Sequence, residues 1–451
     1  MNFSSSRRGF LKLSLDTLAV GGLYGTLGAL QRALAASDTS GYRALVCVFL
    51  HGGNDSFNWL VPHDVTGYAE YAAARGTLAL PANSLLPLSG GGAQLGLHAS
   101  CNGLQSLFNS GRAAFVTNVG TLVQPVTAAQ VRNGSAELPR HLYSHSDQQS
   151  QWMTSAPHST APRGWAGRVA DLLQAQSYNP RLAVNLSLGG SNLWQSGRET
   201  VPYALGLDGA PEFLPMVDRS YRSGARSDLL LALQQQALGG QNRLARQLAT
   251  TQSRAVELSS LVNDGIDGMS ALQTAFPDTA LGRQLHMAAR MVQARDAIGV
   301  SRQMFFVSMG GWDTHDDQLV RQSTLLAELS AGISAFQAAM TEVGAEQAVT
   351  TFTASDFGRT LSSNGDGSDH GWGGHALVVG GAVNGGQIFG TLPSLAMNGP
   401  DDAGWGRIVP TLATDQYAAT LARWFGVAES DLDLVFPHLD RFSARDLGFM
   451  A

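Results

Sequence analysis

Apolar runs that break off directly into polar, glycine-rich segments constrain this chain more than any other feature. Residues 44–50 read Ala-Leu-Val-Cys-Val-Phe-Leu, and runs of similar character occupy 113–119, 182–188, 303–309 and 348–354, with a shorter one at 376–379. A run that stays apolar on successive residues predicts a strand buried on both faces, because a strand with one wet face would alternate. Between the runs, apolar residues recur at helical spacing over about 227–261, 281–297, 318–343 and 415–425. Strands alternating with amphipathic helices predict an α/β fold, a mainly parallel sheet with helices on both faces. The stretch 227–297 is expected to cap the sheet or form a helical insertion, and 358–374 reads as a glycine-rich loop.

The N-terminus carries a different signal. Ser6-Arg7-Arg8-Gly9-Phe10-Leu11-Lys12 precedes an apolar stretch over 13–30 and then Ala33-Leu34-Ala35. Paired arginines, a modest apolar middle and a small-residue cleavage site predict a twin-arginine signal peptide over 1–35, leaving a mature domain of 36–451. Asp16, Arg32 and several glycines suit a stable membrane span badly. The expected partner at this stage is the twin-arginine translocase, and the expected location is periplasmic or secreted. No later apolar run is long enough to cross a bilayer, so no stable span is expected in the mature chain. A formal net charge of −6 with 14% charged residues gives no basic footprint for nucleic acid. Cys47 and Cys101 could pair in an exported protein, but Cys47 lies within a strand-like run, where a buried free thiol fits equally well.

In open α/β sheets ligands gather at the carboxyl ends of the strands. Here those ends open into His51-Gly52-Gly53-Asn54-Asp55, into Gly310-Gly311-Trp312-Asp313-Thr314-His315, and into Ser355-Asp356-Phe357-Gly358-Arg359, with Asp369-His370 and His375 further on. Carboxylates and imidazoles meeting from separate loops suit zinc, manganese or iron better than calcium, which prefers oxygen alone. Asp313 and His315, two apart, would project the same way from extended backbone. Taken singly, each acid also reads as an Asx turn or helix cap, and each histidine as a hydrogen-bonded structural residue. Arg359 could pair with an anionic oxygen or salt-bridge to an acid.

The blocks from His51 to Asn58, Gly310 to His315, Ser355 to Thr360 and Asp369 to Gly386 resemble the signatures of the bacterial domain-of-unknown-function 1501 family, over about 43–425. That family is typically exported with a twin-arginine signal. It is similar in turn to the alkaline phosphatase and sulfatase superfamily, whose members bind two metals through an early Asp, an Asp/His pair, a later Asp and a final His. In chain order the resemblance implies Asp55, Asp313 with His315, Asp356 and His370 as metal ligands, with His375 competing for the last place. Phe357 stands where many superfamily members have a further histidine, which bears on the metal count. The resemblance also implies a nucleophile at a helix start, for which Ser144 is the counterpart. Ser144 with Asp147 equally forms a capping-box pattern, the stronger of the two readings, and His145 could serve instead as a ligand or substrate contact. Neither cysteine lies in the Cys-x-Pro-x-Arg context of a modified-cysteine sulfatase. The implied activity is metal-dependent hydrolysis of a small-molecule phosphate or sulfate ester, with a divalent ion, zinc or manganese, as cofactor. The alternative is a non-catalytic protein on the same fold that binds an envelope component or glycan.

Overall fold

The residue-by-residue burial of strand β1 (Arg43–Leu50) explains why its run is apolar throughout. Ala44, Val46, Val48 and Leu50 enter one core with Leu104, Leu285, Leu329 and Phe336, while Leu45, Cys47 and Phe49 enter a second with Trp152, Trp165, Tyr417 and Phe425. Successive side chains of a strand point to opposite faces, so a strand covered on both sides favours apolar residues at successive positions. The structure is a computed structural model that describes residues 41–92, 94–158, 161–174, 182–212 and 224–451. The signal peptide expected over 1–35 lies outside the described residues.

After β1 the strands are β2 (Leu60–Pro62), β3 (Leu86–Pro87), β4 (Leu95–Leu97), β5 (Ala113–Gly120), β6 (Asn185–Ser187), β7 (Tyr203–Ala204) and β8 (Arg302–Met309). There follow β9 (Val349–Ser355), β10 (Arg359–Ser363), β11 (Ser368–His370), β12 (Gly374–Gly380), β13 (Ile388–Phe389) and β14 (Leu412–Ala413). The main sheet runs β13-β5-β12-β9-β1-β8-β6-β7, with β14 also on β5. Within it β12 alone is antiparallel to its neighbours β5 and β9, and the remaining pairings are parallel. The carboxyl ends of β1, β5, β6, β8 and β9 therefore share one edge, and the reversed β12 brings its amino end to that same edge.

One face carries the helices Asn102–Asn109, Ala280–Gln293 and Gln318–Glu342, the other His145–Thr154, Trp165–Leu173 and Thr414–Phe425. Between β7 and β8 lie the helices Gly224–Gly239, Arg243–Asp267 and Ala280–Gln293. Among the described residues no helix is long and apolar enough to cross a membrane.

Two expectations need correction. The segment 358–374 is not a continuous loop, because β10 and β11 pair there as a small antiparallel ribbon. The strand expected over 182–188 is shorter, Asn185–Ser187 along β8, with the Val184 carbonyl and the Leu188 amide extending the bonds to Met304 and Phe306. Cys47 and Cys101 are both free and buried, and burial pushes both thiols up, Cys101 to about 12.

Candidate metal centre

His145 is the first residue of the helix His145–Thr154, Asp313 and His315 follow β8, and His370 ends β11. Ligand atoms of His145, Asp313 and His370 all lie within 4.8 Å of one another. The Nε2 of His370 is 3.1 Å from that of His145, 3.0 Å from that of His315 and 3.3 Å from Asp313 Oδ1. His315 Nε2 is 3.0 Å from Asp313 Oδ1, and His145 Nε2 is 3.5 Å from Asp313 Oδ2. His370 Nε2 and the Asp313 carboxylate thus each lie close to the Nε2 atoms of both His145 and His315.

The opposite nitrogen of each ring fixes which atom faces that point. His145 Nδ1 is 2.6 Å from Asp356 Oδ2, His315 Nδ1 is 3.2 Å from Asp369 Oδ1, and His370 Nδ1 is 2.8 Å from the Tyr143 carbonyl. Carboxylate and carbonyl oxygens can only accept, so in the neutral rings the proton sits on Nδ1 and a lone pair on Nε2. The His370 Nε2 lone pair then faces those of His145 and His315, and all three face Asp313, a repulsive arrangement unless a proton or cation stands between them. An oxygen acceptor behind each imidazole is also the usual support of a metal-ligating histidine.

Local backbone serves this geometry. Tyr143 has φ 74°, a left-handed conformation that is uncommon for a bulky residue. Its amide donates to Gln148 Oε1 at 2.5 Å while its carbonyl receives His370 Nδ1. Gly52, at φ 120°, passes so close to the loop after β8 that a Cβ there would lie 2.4 Å from the Asp313 nitrogen. Its amide donates to Asp356 Oδ2 at 3.1 Å, and its carbonyl accepts from Arg359 Nη1 at 3.1 Å.

Arg359 is buried and donates to Asp313 Oδ1 at 2.8 Å, and also to Ser368. For Asp313, partial burial works to raise the pKa, but the hydrogen bond and charge of Arg359, with His315 and His145 beyond, hold it below the ordinary carboxylate value. Burial lowers His370, favouring the neutral ring. Asp356 has one oxygen occupied by Gly52, His145 and Gln149, and the other buried without a hydrogen-bond partner among the described residues. Arg407 stacks 4.3 Å over Tyr143 and donates Nε to the His370 carbonyl at 3.3 Å.

Not every expected residue enters the cluster. The Asp55 carboxylate turns inward to Arg75 and Gln318, and also accepts from the Phe57 amide at 3.2 Å. His375 lies in the core, where its Nδ1 accepts from the Asn118 amide at 3.1 Å and burial pushes its pKa down to about 3. Ser144 does occupy a helix start, yet it makes no side-chain cap bond. Its hydroxyl donates to Asp147 Oδ2 at 2.6 Å. Asp356 supports His145 directly, and Arg359 pairs with Asp313. Reading the sequence missed Arg75, a lone arginine in an alanine-rich helix that gives no motif signal. It also gave no role to Asp369, although that residue sits inside a quoted block.

Comparison with curated proteins gave no match. Among solved structures, Ps i-CgsB bound to k-i-k-neocarrahexaose is 11% identical over 88% of this chain and 74% of that one, with a TM-score of 0.35. The PsFucS1 sulfatase from Pseudoalteromonas sp. is 12% identical over 92% of this chain and 72% of that one, at 0.34. At these TM-scores the overlays are too loose to equate individual residues. The family model described as a protein of unknown function, DUF1501, matches residues 42–403, and the chain belongs to that family.

Proposed function

We propose that this chain is exported by the twin-arginine route and hydrolyses phosphate or sulfate esters with the help of a divalent metal ion, zinc or manganese. The observation that carries the reading is the convergence of the His145, His315 and His370 Nε2 lone pairs on the Asp313 carboxylate. A mixed imidazole and carboxylate donor set fits such ions and fits calcium poorly. When bound, the ion supplies positive charge against the ester oxygens, a Lewis-acid contribution of several kcal/mol. Asp356 and Asp369 orient the ligating rings and keep their protons on Nδ1. Arg359 holds Asp313 ionised. Arg407, held by its stacking on Tyr143 and, among the described residues, by Nε alone of its side-chain nitrogens, turns its outer nitrogens to an anionic ester oxygen.

The Ser144 hydroxyl, engaged with Asp147, favours a second reading in which the protein holds a metal and binds an envelope glycan without cleaving it. A panel of aryl phosphate and sulfate esters, assayed with and without chelator on metal-loaded protein, separates the two. Chelator-sensitive turnover supports the hydrolase, whereas bound metal without turnover of any ester supports the binder. Changing Arg7 and Arg8 to Lys tests export, since precursor held in the cytoplasm is the expected result.

A further inference from the structure

Beside the histidine cluster a cleft of about 300 Å³ opens along the same sheet edge. One wall is the helix His145–Thr154, which presents Ser146, Gln149, Ser150 and Met153. The facing wall is the segment after β6, with Gly189, Ser191 and Asn192, and Phe306 of β8 lies between them. His51 also lines the cleft, near enough to Asp356 to feel its charge, and its burial lowers its pKa. Gln149 joins cleft to cluster: it stands one helical turn beyond His145 and donates to Asp356, the acid behind His145, at 2.9 Å.

The chemistry of the lining is narrow. Apart from His51 it holds no ionisable side chain; the polar groups are hydroxyls and amides, and Phe306, Met153 and Leu193 are apolar. Among the described residues the Ser150 and Ser191 hydroxyls have no hydrogen-bond partner. A fatty chain would leave these groups unpaired, at a cost of about 1–3 kcal/mol for each one buried. A polyanion would find no cation. A ring bearing hydroxyls on its rim and C–H groups on its face satisfies both kinds of lining.

The facing wall is also fixed in advance. Asn192 Oδ1 accepts from the Gln195 amide at 2.9 Å, and Gln195 Nε2 donates to the Leu186 and Met304 carbonyls at 3.0 and 2.9 Å, tying the segment into the sheet. Gly189 packs where a Cβ would lie 2.8 Å from Ser308 Oγ and 3.0 Å from the Phe306 ring. A rigid, concave, mostly neutral site of this size is at the small end of ligand pockets, roughly 300–1,000 Å³.

We propose that this cleft binds an uncharged, polyhydroxylated ring, so that the substrate is a carbohydrate whose neutral unit lies in the cleft while its ester group faces the histidine cluster. The carbohydrate assignment rests on the hydrolase reading above only for the placement of the ester.

Metal-loaded mature chain is applied to an array of neutral, sulfated and phosphorylated oligosaccharides, alongside Ser191→Trp and Ser146→Trp, exposed positions on the two walls. Binding to glycans with a neutral hexose next to a sulfate or phosphate ester is expected. Each variant should weaken it about ten-fold or more while metal content and melting temperature stay the same. Binding that survives both substitutions, or no glycan bound at all, overturns the assignment. Aryl-ester hydrolysis without glycan binding removes the cleft and keeps the hydrolase. Glycan binding that persists in chelator, with no ester turned over, keeps the cleft and removes the hydrolase.

Discussion

Asp55 and Asp313 follow neighbouring parallel strands and stand at the same sheet edge, yet they occupy opposite electrostatic situations. Asp55 is sealed in the core against the Arg75 guanidinium and the Gln318 amide, a pair with neither partner exposed. Asp313 is 45% exposed and faces three imidazoles whose far nitrogens are held by oxygen acceptors. A carboxylate with a permanent cation and full hydrogen bonding is a closed piece of architecture. One that also faces imidazole lone pairs has room for a cation beyond Arg359, which is the place the proposed divalent ion would take. The pattern of acids at strand ends looks alike in both loops. A buried arginine reaches both carboxylates, Arg75 on Asp55 and Arg359 on Asp313; what separates them is that Gln318 and the Phe57 amide complete the bonding of Asp55, whereas Asp313 stays half-exposed and faces imidazole nitrogens.

The largest effect expected from this contrast is on stability. Asp55→Ala leaves the buried Arg75 charge unpaired and should cost about 3–5 kcal/mol. The loss should be equal with and without chelator, as read by denaturant melts. A loss that vanishes in chelator would make Asp55 a metal residue after all. Next in size is Asp356→Asn, which keeps the shape behind His145 but weakens the acceptor that fixes its proton. Metal affinity should fall about 10–100-fold by competition with a chromophoric chelator, and an unchanged affinity would break the link from Asp356 to the cluster.

A third effect, spread over pH, concerns His375. Its folded pKa of about 3 lies below the ordinary value of about 6.5, so the neutral ring's contribution is complete above 6.5 and is lost as pH falls toward 3. In that window the stability slope steepens by up to about 1.4 kcal/mol per pH unit. His375→Gln should flatten the slope between pH 6 and 4 without lowering metal content. A fall in metal content would return His375 to the cluster.

Much of this was legible in sequence because burial writes itself into composition. The run 44–50 differs from β1 by one residue and 303–309 from β8 by one, since both strands are covered on two faces and tolerate little polarity. The helix expected over 318–343 differs from Gln318–Glu342 at its last residue alone. What was not legible depends on pairing across the chain. Nothing local marks β12 as antiparallel, and Ser368–His370 becomes a strand only because Arg359–Ser363 lies beside it. At the site, Asp313, His315 and His370 were visible as acids and histidines beyond strand ends. That His370 meets the others while His375 enters the core turns on their positions, one at the end of β11 and one within β12, where its neighbours are Phe57 and Asn118.

The most direct test is elemental analysis of the purified mature protein and of His370→Ala, each followed by a melt with and without chelator. Removing His370 takes away the ring that touches His145, His315 and Asp313 together. We predict at least about one equivalent of zinc or manganese per wild-type chain, a melting temperature lowered by chelator, and neither property in the variant. Wild-type protein that binds no divalent ion when offered zinc or manganese, and melts identically with chelator, would contradict the metal centre.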